Sequence, residues 1–284
     1  MKVAIITDSN TCLPRELVDQ YGITVVPIQL AIDGRVYHDG VDITPSELYR
    51  LLPLVSKIPT TAAPSPGSYL ETYRQLAQRF DNILCITISS QFSAIHESAQ
   101  LARQMAAEVF PQVRINVIDS GTAAMAQGFA VLEAARAAAQ SKDLDEVTAA
   151  AVRISSRTSV LAILDTLNYL AKSGRVPKIA AWAGSVLNIK PIIELSQSHV
   201  GLLARPRTKR QSVQRLLQEM NRRLGARPAH IAVVHTNVPA EAEELRQRIE
   251  SMFNCVEMYV TEFTPVMGIH TGPGLLGAAF YSEG

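Results

Sequence analysis

The chain has 284 residues, 47% of them hydrophobic, 19% charged and 6% aromatic, with a formal net charge of +1. That excludes intrinsic disorder, which needs few apolar residues and high net charge, and it excludes a global electrostatic attraction to nucleic acid. Cys12, Cys85 and Cys255 are odd in number and far apart, which excludes a disulfide scaffold and suits a reducing, cytoplasmic compartment.

In chain order, residues 3–7 form a short apolar run that meets Asp8 at once, a first strand rather than a signal peptide. Leu13-Pro14 opens a helix that Gly22 closes. Residues 23–30 are β-rich, and Asp33-Gly34 between two apolar runs signals a hairpin. Thr44-Pro45-Ser46-Glu47 predicts a helix start, with Thr44 as N-cap and Glu47 completing a capping box. Residues 58–67 carry three prolines and a glycine, and read as an extended loop before a helix over 68–80. Strands are expected at 83–88 and 113–118, with helices to about 109, at 122–140 and at 144–156.

These strands are apolar throughout, the pattern of a parallel sheet covered on both faces. Three of them end in Thr7-Asp8-Ser9, Ser89-Ser90 and Asp119-Ser120. In open α/β sheets the carboxyl ends of the strands are where ligands bind. The same residues also serve as helix caps, and the spacing leaves both readings open.

The second half reads as α+β. A strand is expected at 160–164, helices at 167–173 and 178–187, and an antiparallel hairpin from 192–195 and 200–204. An amphipathic helix follows at 208–224. A strand at 231–235, a helix to 249, and strands at 255–261 and 275–281 complete the unit. The expected fold is thus α/β: an N-terminal Rossmann-like parallel-sheet domain over 1–160, with a hairpin-containing insert at about 28–58, and a C-terminal α+β two-layer domain over 161–284.

Familiar catalytic signatures fail on context. Gly272-Pro273-Gly274-Leu275-Leu276-Gly277 fits G-x-G-x-x-G, but too little chain follows for the helix and second strand that a dinucleotide needs. His96-Glu97-Ser98-Ala99-Gln100 has Gln100 where a zinc helix needs its second His, so no metal site is expected. No P-loop and no G-x-S-x-G elbow occurs. Arg205, Arg207, Lys209, Arg210, Arg215, Arg222, Arg223 and Arg227 face a single acid, Glu219. This is a solvated face or a docking surface for an acidic partner or a transient membrane-surface contact; the aromatics of an RNA reader are missing, so nucleic acid is not an expected partner. His270-Thr271 before Gly272-Pro273-Gly274 reads as a tight turn with free backbone N–H groups, able to hold a carboxylate or phosphate, or as a plain turn.

Together these segments resemble the DegV family of bacterial fatty-acid-binding proteins. The resemblance rests on Thr7-Asp8-Ser9 with Leu13-Pro14, Pro59-Thr60-Thr61 with Pro64-Ser65-Pro66, and Ile88-Ser89-Ser90 with Ser93 and Ser98-Ala99. It continues through Ile118-Asp119-Ser120, Ser173-Gly174-Arg175-Val176, the Leu187–Pro191 stretch and His270-Thr271-Gly272-Pro273-Gly274. It implies a two-domain carrier with no catalytic residues and no cofactor, holding one long-chain fatty acid in an apolar tunnel between the domains. The acid's carboxylate would rest on Thr61, Ser93 and His270, with Thr60, Ser90, Ser120, Thr271 and Gly272 as candidate head-group neighbours. The implied partner is an ATP-dependent fatty acid kinase that makes the acyl-phosphate, with Arg175, Arg205 and Arg207 as candidate docking residues. The chain departs from the family pattern at Cys12, at Ala62-Ala63 and at Ala94-Ile95, where the family usually has Gly-Thr. The residues also leave open an enzyme acting on a small phosphorylated or carboxylated metabolite through Asp8, Asp119 and His270.

Overall fold

The computed structural model describes residues 2–55, 57, 59–176, 189–196 and 199–283. The helix expected over 178–187, with Leu187 and Asn188 of the Leu187–Pro191 stretch, lies outside the described residues. The chain divides into two compact units, Met1–Asp42 with Pro59–Ser156, and Ile43–Ile58 with Arg157–Gly284.

The first unit is built on β1 (Val3–Asp8), β2 (Thr24–Val26), β6 (Asn82–Thr87) and β7 (Arg114–Asp119), in the order β2-β1-β6-β7, every neighbour parallel. β1 and β6 are buried at every position. This is why they read as unbroken apolar runs: side chains of both faces must leave water. The helices are α1 (Arg15–Tyr21), α3 (Pro66–Ala77), α4 (Ile95–Val109), α5 (Ala124–Ala139) and α6 (Leu144–Ser155). On one face of the sheet, Val131, Ala134 and Ala135 of α5 and Val147 and Ala151 of α6 join Val3, Ile5, Leu84 and Ile86 in one core. The alanine-rich helices suit this: small side chains let α5 approach closely, and α5 is buried along nearly its whole length.

A second, antiparallel sheet has the order β4-β3-β5, from β3 (Gln29–Ile32), β4 (Arg35–His38) and β5 (Thr60–Ala62). Asp33 and Gly34 both take positive φ, 45° and 84°. The hairpin therefore turns as the Asp-Gly pair predicts. The proline-rich segment read as loop supplies β5, a short edge strand. An edge position is the one place in a sheet that tolerates flanking prolines.

The second unit carries β8 (Ser159–Ile163), β9 (Ile192–Ser196), β10 (His199–Ala204), β11 (Ala229–His235), β12 (Cys255–Glu262) and β13 (Leu276–Ser282), in the order β10-β9-β8-β13-β11-β12. Only β11 and β12 pair in parallel. Its helices are α2 (Pro45–Leu51), α7 (Asn168–Ser173), α8 (Lys209–Leu224), α9 (Pro239–Met252) and α10 (Pro265–Thr271). α8 and α9 cover one face, with Leu216, Leu217, Met220, Leu224, Leu245 and Ile249 packed on Leu161, Ile163, Ile231, Val233 and Phe280. The capping box at Thr44 and Glu47 forms as the sequence predicts. The sequence reading kept 28–58 as one insert; the packing divides it, because α2 lies against α10 within the second unit.

Glu219 departs from the expected solvated charge face. It is nearly inaccessible, and it accepts from Arg222 Nη2 at 2.6 Å and Arg223 Nε at 2.7 Å; Arg223 reaches on to Glu194 at 2.7 Å. The hydrogen bond from Arg222, and then the bond and charge of Arg223, outweigh burial and hold the Glu219 carboxyl at about 2. A depressed carboxyl stabilises the fold above its unfolded value, 4.5, and that stability is lost as pH falls toward 2. Glu219→Gln is expected to cost about 2 kcal/mol at neutral pH, with the deficit against wild type shrinking across that acid window, as read by denaturant melts at stepped pH.

Candidate functional site

The candidate residues fall into two sets, one on each unit. In the first unit the carboxyl ends of β1, β6 and β7 meet in a buried polar knot. Asp8 has no exposure; one carboxylate oxygen accepts from Asn10 N at 3.1 Å, the other from Ile88 N at 2.7 Å and from Gln127 Nε2 at 3.2 Å. Gln127 also donates to Thr7 Oγ1, which itself donates to Ile86 O. Burial pushes the Asp8 carboxyl above its ordinary range, and these hydrogen bonds recover only part of the shift. Gln127 was not singled out from the sequence, although a polar residue in the otherwise apolar first turns of an alanine-rich helix was a signal for it.

The strand-end residues divide by commitment. The Ser120 hydroxyl donates to Thr122 O and accepts from Thr122 N. Ser89 accepts from Gln91 N, and Asp119 accepts from Ser90 N and Gly121 N. Asp8 caps the short 3-10 turn at Ser9–Thr11. The capping reading therefore holds for Asp8 alone; Asp119 and Ser120 bond the backbone of the strand-end loops, and α5, which follows, has Ala123 at its N-cap and no side-chain cap.

Thr61 and Ser93 stand differently. Thr61 is the middle residue of β5, opposite Leu30 of β3. Strand alternation turns it inward, half-buried, and leaves Thr60 and Ala62 exposed on the other face. Ser93 is half-buried in the turn before α4, and its hydroxyl takes no hydrogen bond among the described residues. Ser90 is exposed. The departures at 94 and 95 have a local reading: Ala94 sits at the N-cap of α4 and offers no cap, while Ile95 is 1% exposed and belongs to the core.

In the second unit the structure corrects the reading of 263–274. Pro265–Thr271 is a helix, α10, and the turn after it has no spare N–H groups. Gly272 N donates to Gly268 O, Gly274 N to Thr236 O, and Leu275 N to Thr236 Oγ1; residue 273 is proline. An anion-binding backbone nest is thereby excluded here. Thr236 ties the turn down further by donating to Gly272 O at 2.7 Å. Thr271 is buried, and its hydroxyl donates back to Met267 O.

His270 lies in the last turn of α10. Burial, reinforced by the Arg175 charge, brings its pKa down to about 4, so the ring is neutral at physiological pH. Arg175 follows the C-cap Gly174 of α7 and is exposed. Arg205 and Arg207 are exposed in the link between β10 and α8. Others of the basic run are engaged: Lys209 pairs with Glu241 at 2.6 Å and donates to Gly274 O, and Arg222 and Arg223 hold Glu219. Among the described residues no group of three His, Cys, Asp or Glu is placed to hold a metal ion, and no helix is long and apolar enough to cross a membrane.

The described residues thus form two α/β units, one on a parallel sheet with polar strand ends and one on a mixed sheet that carries His270 on a helix. The chain belongs to the DegV family: the family model described as "Uncharacterised protein, DegV family" matches residues 2–283. A DegV domain-containing protein of Streptomyces coelicolor is 35% identical over 286 residues, covering 99% of each chain. Among solved structures, the chain is similar to a fatty-acid-binding DegV family protein from Thermus thermophilus (TM-score 0.92, 29% identity, all of both chains). It is also similar to a stearic-acid-binding protein from Eubacterium ventriosum (TM-score 0.85, 25% identity, 99% and 98% of the chains).

The glycines of this turn are specified by contact as well as by φ. A Cβ on Gly272, whose φ is +75°, would fall 2.3 Å from the Tyr169 ring. Gly272→Ala is expected to destabilise the protein by about 2–4 kcal/mol, whereas Gly22→Ala, in the left-handed helical region at φ +62° and ψ 36° with open space around it, is expected to cost about 1 kcal/mol; paired urea melts compare them.

Proposed function

We propose that this protein binds one long-chain fatty acid in an apolar tunnel, and that Thr61, Ser93 and the neutral His270 receive its carboxyl group. The observation that carries the reading is the full-length match to the Thermus thermophilus fatty-acid-binding structure. Chemistry supports it. Each buried methylene gains about 0.8 kcal/mol, so a long acyl chain gains on the order of 10 kcal/mol before association costs. The head group must then be hydrogen-bonded or protonated, since an unpaired buried charge is expensive. Two hydroxyls and a neutral imidazole supply donors without burying a cation. Thr60 and Thr271 adjoin Thr61 and His270 in sequence, and Ser90 and Gly272 lie three and two positions from Ser93 and His270, so these four are the candidate head-group neighbours; Ser120 holds its own turn.

In this reading the protein is a cytoplasmic carrier and no enzyme. It presents the carboxyl group to a separate ATP-dependent kinase, which forms the acyl-phosphate. Arg175, Arg205 and Arg207 are exposed cations suited to an acidic face on that kinase, or to a transient contact with a membrane surface while lipid is loaded. No cofactor is required, because the carrier's task is burial and presentation.

Native mass spectrometry of the gently purified protein is expected to show one fatty acid per chain; a uniformly ligand-free mass from lipid-rich cells would refute the reading. The Thr61→Val/Ser93→Ala double variant is expected to lose about 100-fold in affinity for a fluorescent fatty acid, since about 1.5 kcal/mol attaches to each hydrogen bond to a charged group. Charge reversal at Arg205 and Arg207 is expected to leave lipid affinity unchanged and to reduce acyl-phosphate formation by the kinase about tenfold or more; unchanged phosphorylation would remove those two residues from the docking face.

A further inference from the structure

At the far end of β11 from Thr236 lies a group of side chains that the lipid reading does not use. His230 is the second residue of that strand and only 7% exposed. Its cross-strand neighbours are Glu257 on β12 and Tyr281 on β13. The imidazole stacks on the Tyr281 ring, with centroids 4.3 Å apart and planes 5° from parallel. Nδ1 lies 2.6 Å from Glu257 Oε1, and Nε2 lies 3.2 Å from Glu283 Oε1. The second Glu257 oxygen accepts from the Tyr259 hydroxyl at 2.7 Å. Glu283 is fixed through its backbone, which donates to Pro228 O at 3.0 Å.

The donor count decides what this arrangement is. A neutral imidazole has one N–H and one lone pair. With a carboxylate oxygen at each ring nitrogen, either neutral tautomer sets a lone pair against an anion. Only the doubly protonated ring donates to both. The β11–β12 ladder also slips register between Ala229 and His230. The side-chain bridge therefore spans the one place where backbone pairing of these strands is interrupted. Among the described residues β12 has a single neighbour in the sheet, at the edge next to β11.

We propose that His230 is a pH-sensitive clamp: as an imidazolium it ties β12 and the end of β13 to β11, and it releases them as the ring loses its second proton. The groups that face it are Glu257 and Tyr259 from β12, and Tyr281 and Glu283 from β13 and the residue beyond. Burial pulls the His230 pKa down, but the hydrogen bonds and charges of Glu257 and then Glu283 outweigh it and leave the pKa raised above 6.5. A histidine raised on folding contributes fully below its unfolded pKa, and the contribution disappears as pH rises through the folded value.

The experiment is a histidine NMR titration of the full chain beside backbone hydrogen exchange. The His230 midpoint is expected above 6.5, with both ring nitrogens protonated at mildly acid pH. Exchange of the amides around Glu257 and Ser282, corrected for the intrinsic effect of pH, is expected to rise about tenfold for each pH unit that separates the folded and unfolded midpoints. Glu283→Gln, at the more exposed partner, is expected to lower the midpoint by about one unit and keep the fold; His230→Gln is expected to abolish the pH dependence of exchange. A wild-type midpoint at or below 6.5, or the same pH dependence of exchange in His230→Gln, would overturn the proposal.

Discussion

The first unit depends on a carboxyl group that has no water to solvate it. Asp8 ends β1 inside the protein, where an unpartnered carboxyl would be prohibitive. Its partners are therefore fixed: a backbone N–H from the end of β6, one from its own 3-10 turn, and the Gln127 amide from α5. One side chain thus joins two parallel strands and the most buried helix. Ser89 and Ser120 continue the same stitching from β6 to β7, through Ser89 N to Thr122 O and Ser120 N to Thr87 O. Thr61, half-buried on β5, and Ser93, half-buried before α4, take no part in that lattice.

The second unit solves a different problem. Its sheet is mixed, and its tight places are made by glycine. Gly277 on β13 has Leu161 O only 2.3 Å from where a Cβ would lie, and Gly268 on α10 lies against the Tyr49 hydroxyl and Leu48 of α2. Gly274 leaves room for Asp165, which pairs with Lys190 at 2.8 Å. The G-P-G segment that resembles a nucleotide loop is thus a packing device. Its glycines admit neighbouring side chains and backbone, and its N–H groups face their own protein.

What was legible in the sequence follows the range of the interaction. The Asp33-Gly34 hairpin, the Thr44 capping box and the buried strands β1 and β6 are set by residues a few positions apart, and the sequence carries them openly. β5 was not legible as a strand, because three residues among prolines have no pattern of their own; pairing with β3 makes them one. α10 was missed because Gly268 and a β-branched residue every few positions argue against a helix and mask the Thr264-Pro265 start, and packing against α2 and α7 overrides that weak propensity. Glu219 was read as one acid on a solvated face, since its burial beneath two arginines is a tertiary fact. Thr61 and Ser93 were named from the family pattern; the structure adds that one faces inward from an edge strand and that the other precedes a helix.

The enclosed position of α5 has a consequence for how the protein comes apart. Its residues line the core on one side and hold Asp8 through Gln127 on another, and a Cβ on Gly128 would meet Thr11 O at 2.9 Å. No part of this helix can leave alone without opening both the sheet face and the strand-end knot. Its amides should exchange only when the whole first unit unfolds, whereas β4 and β5, exposed or half-buried at every position, can fray locally.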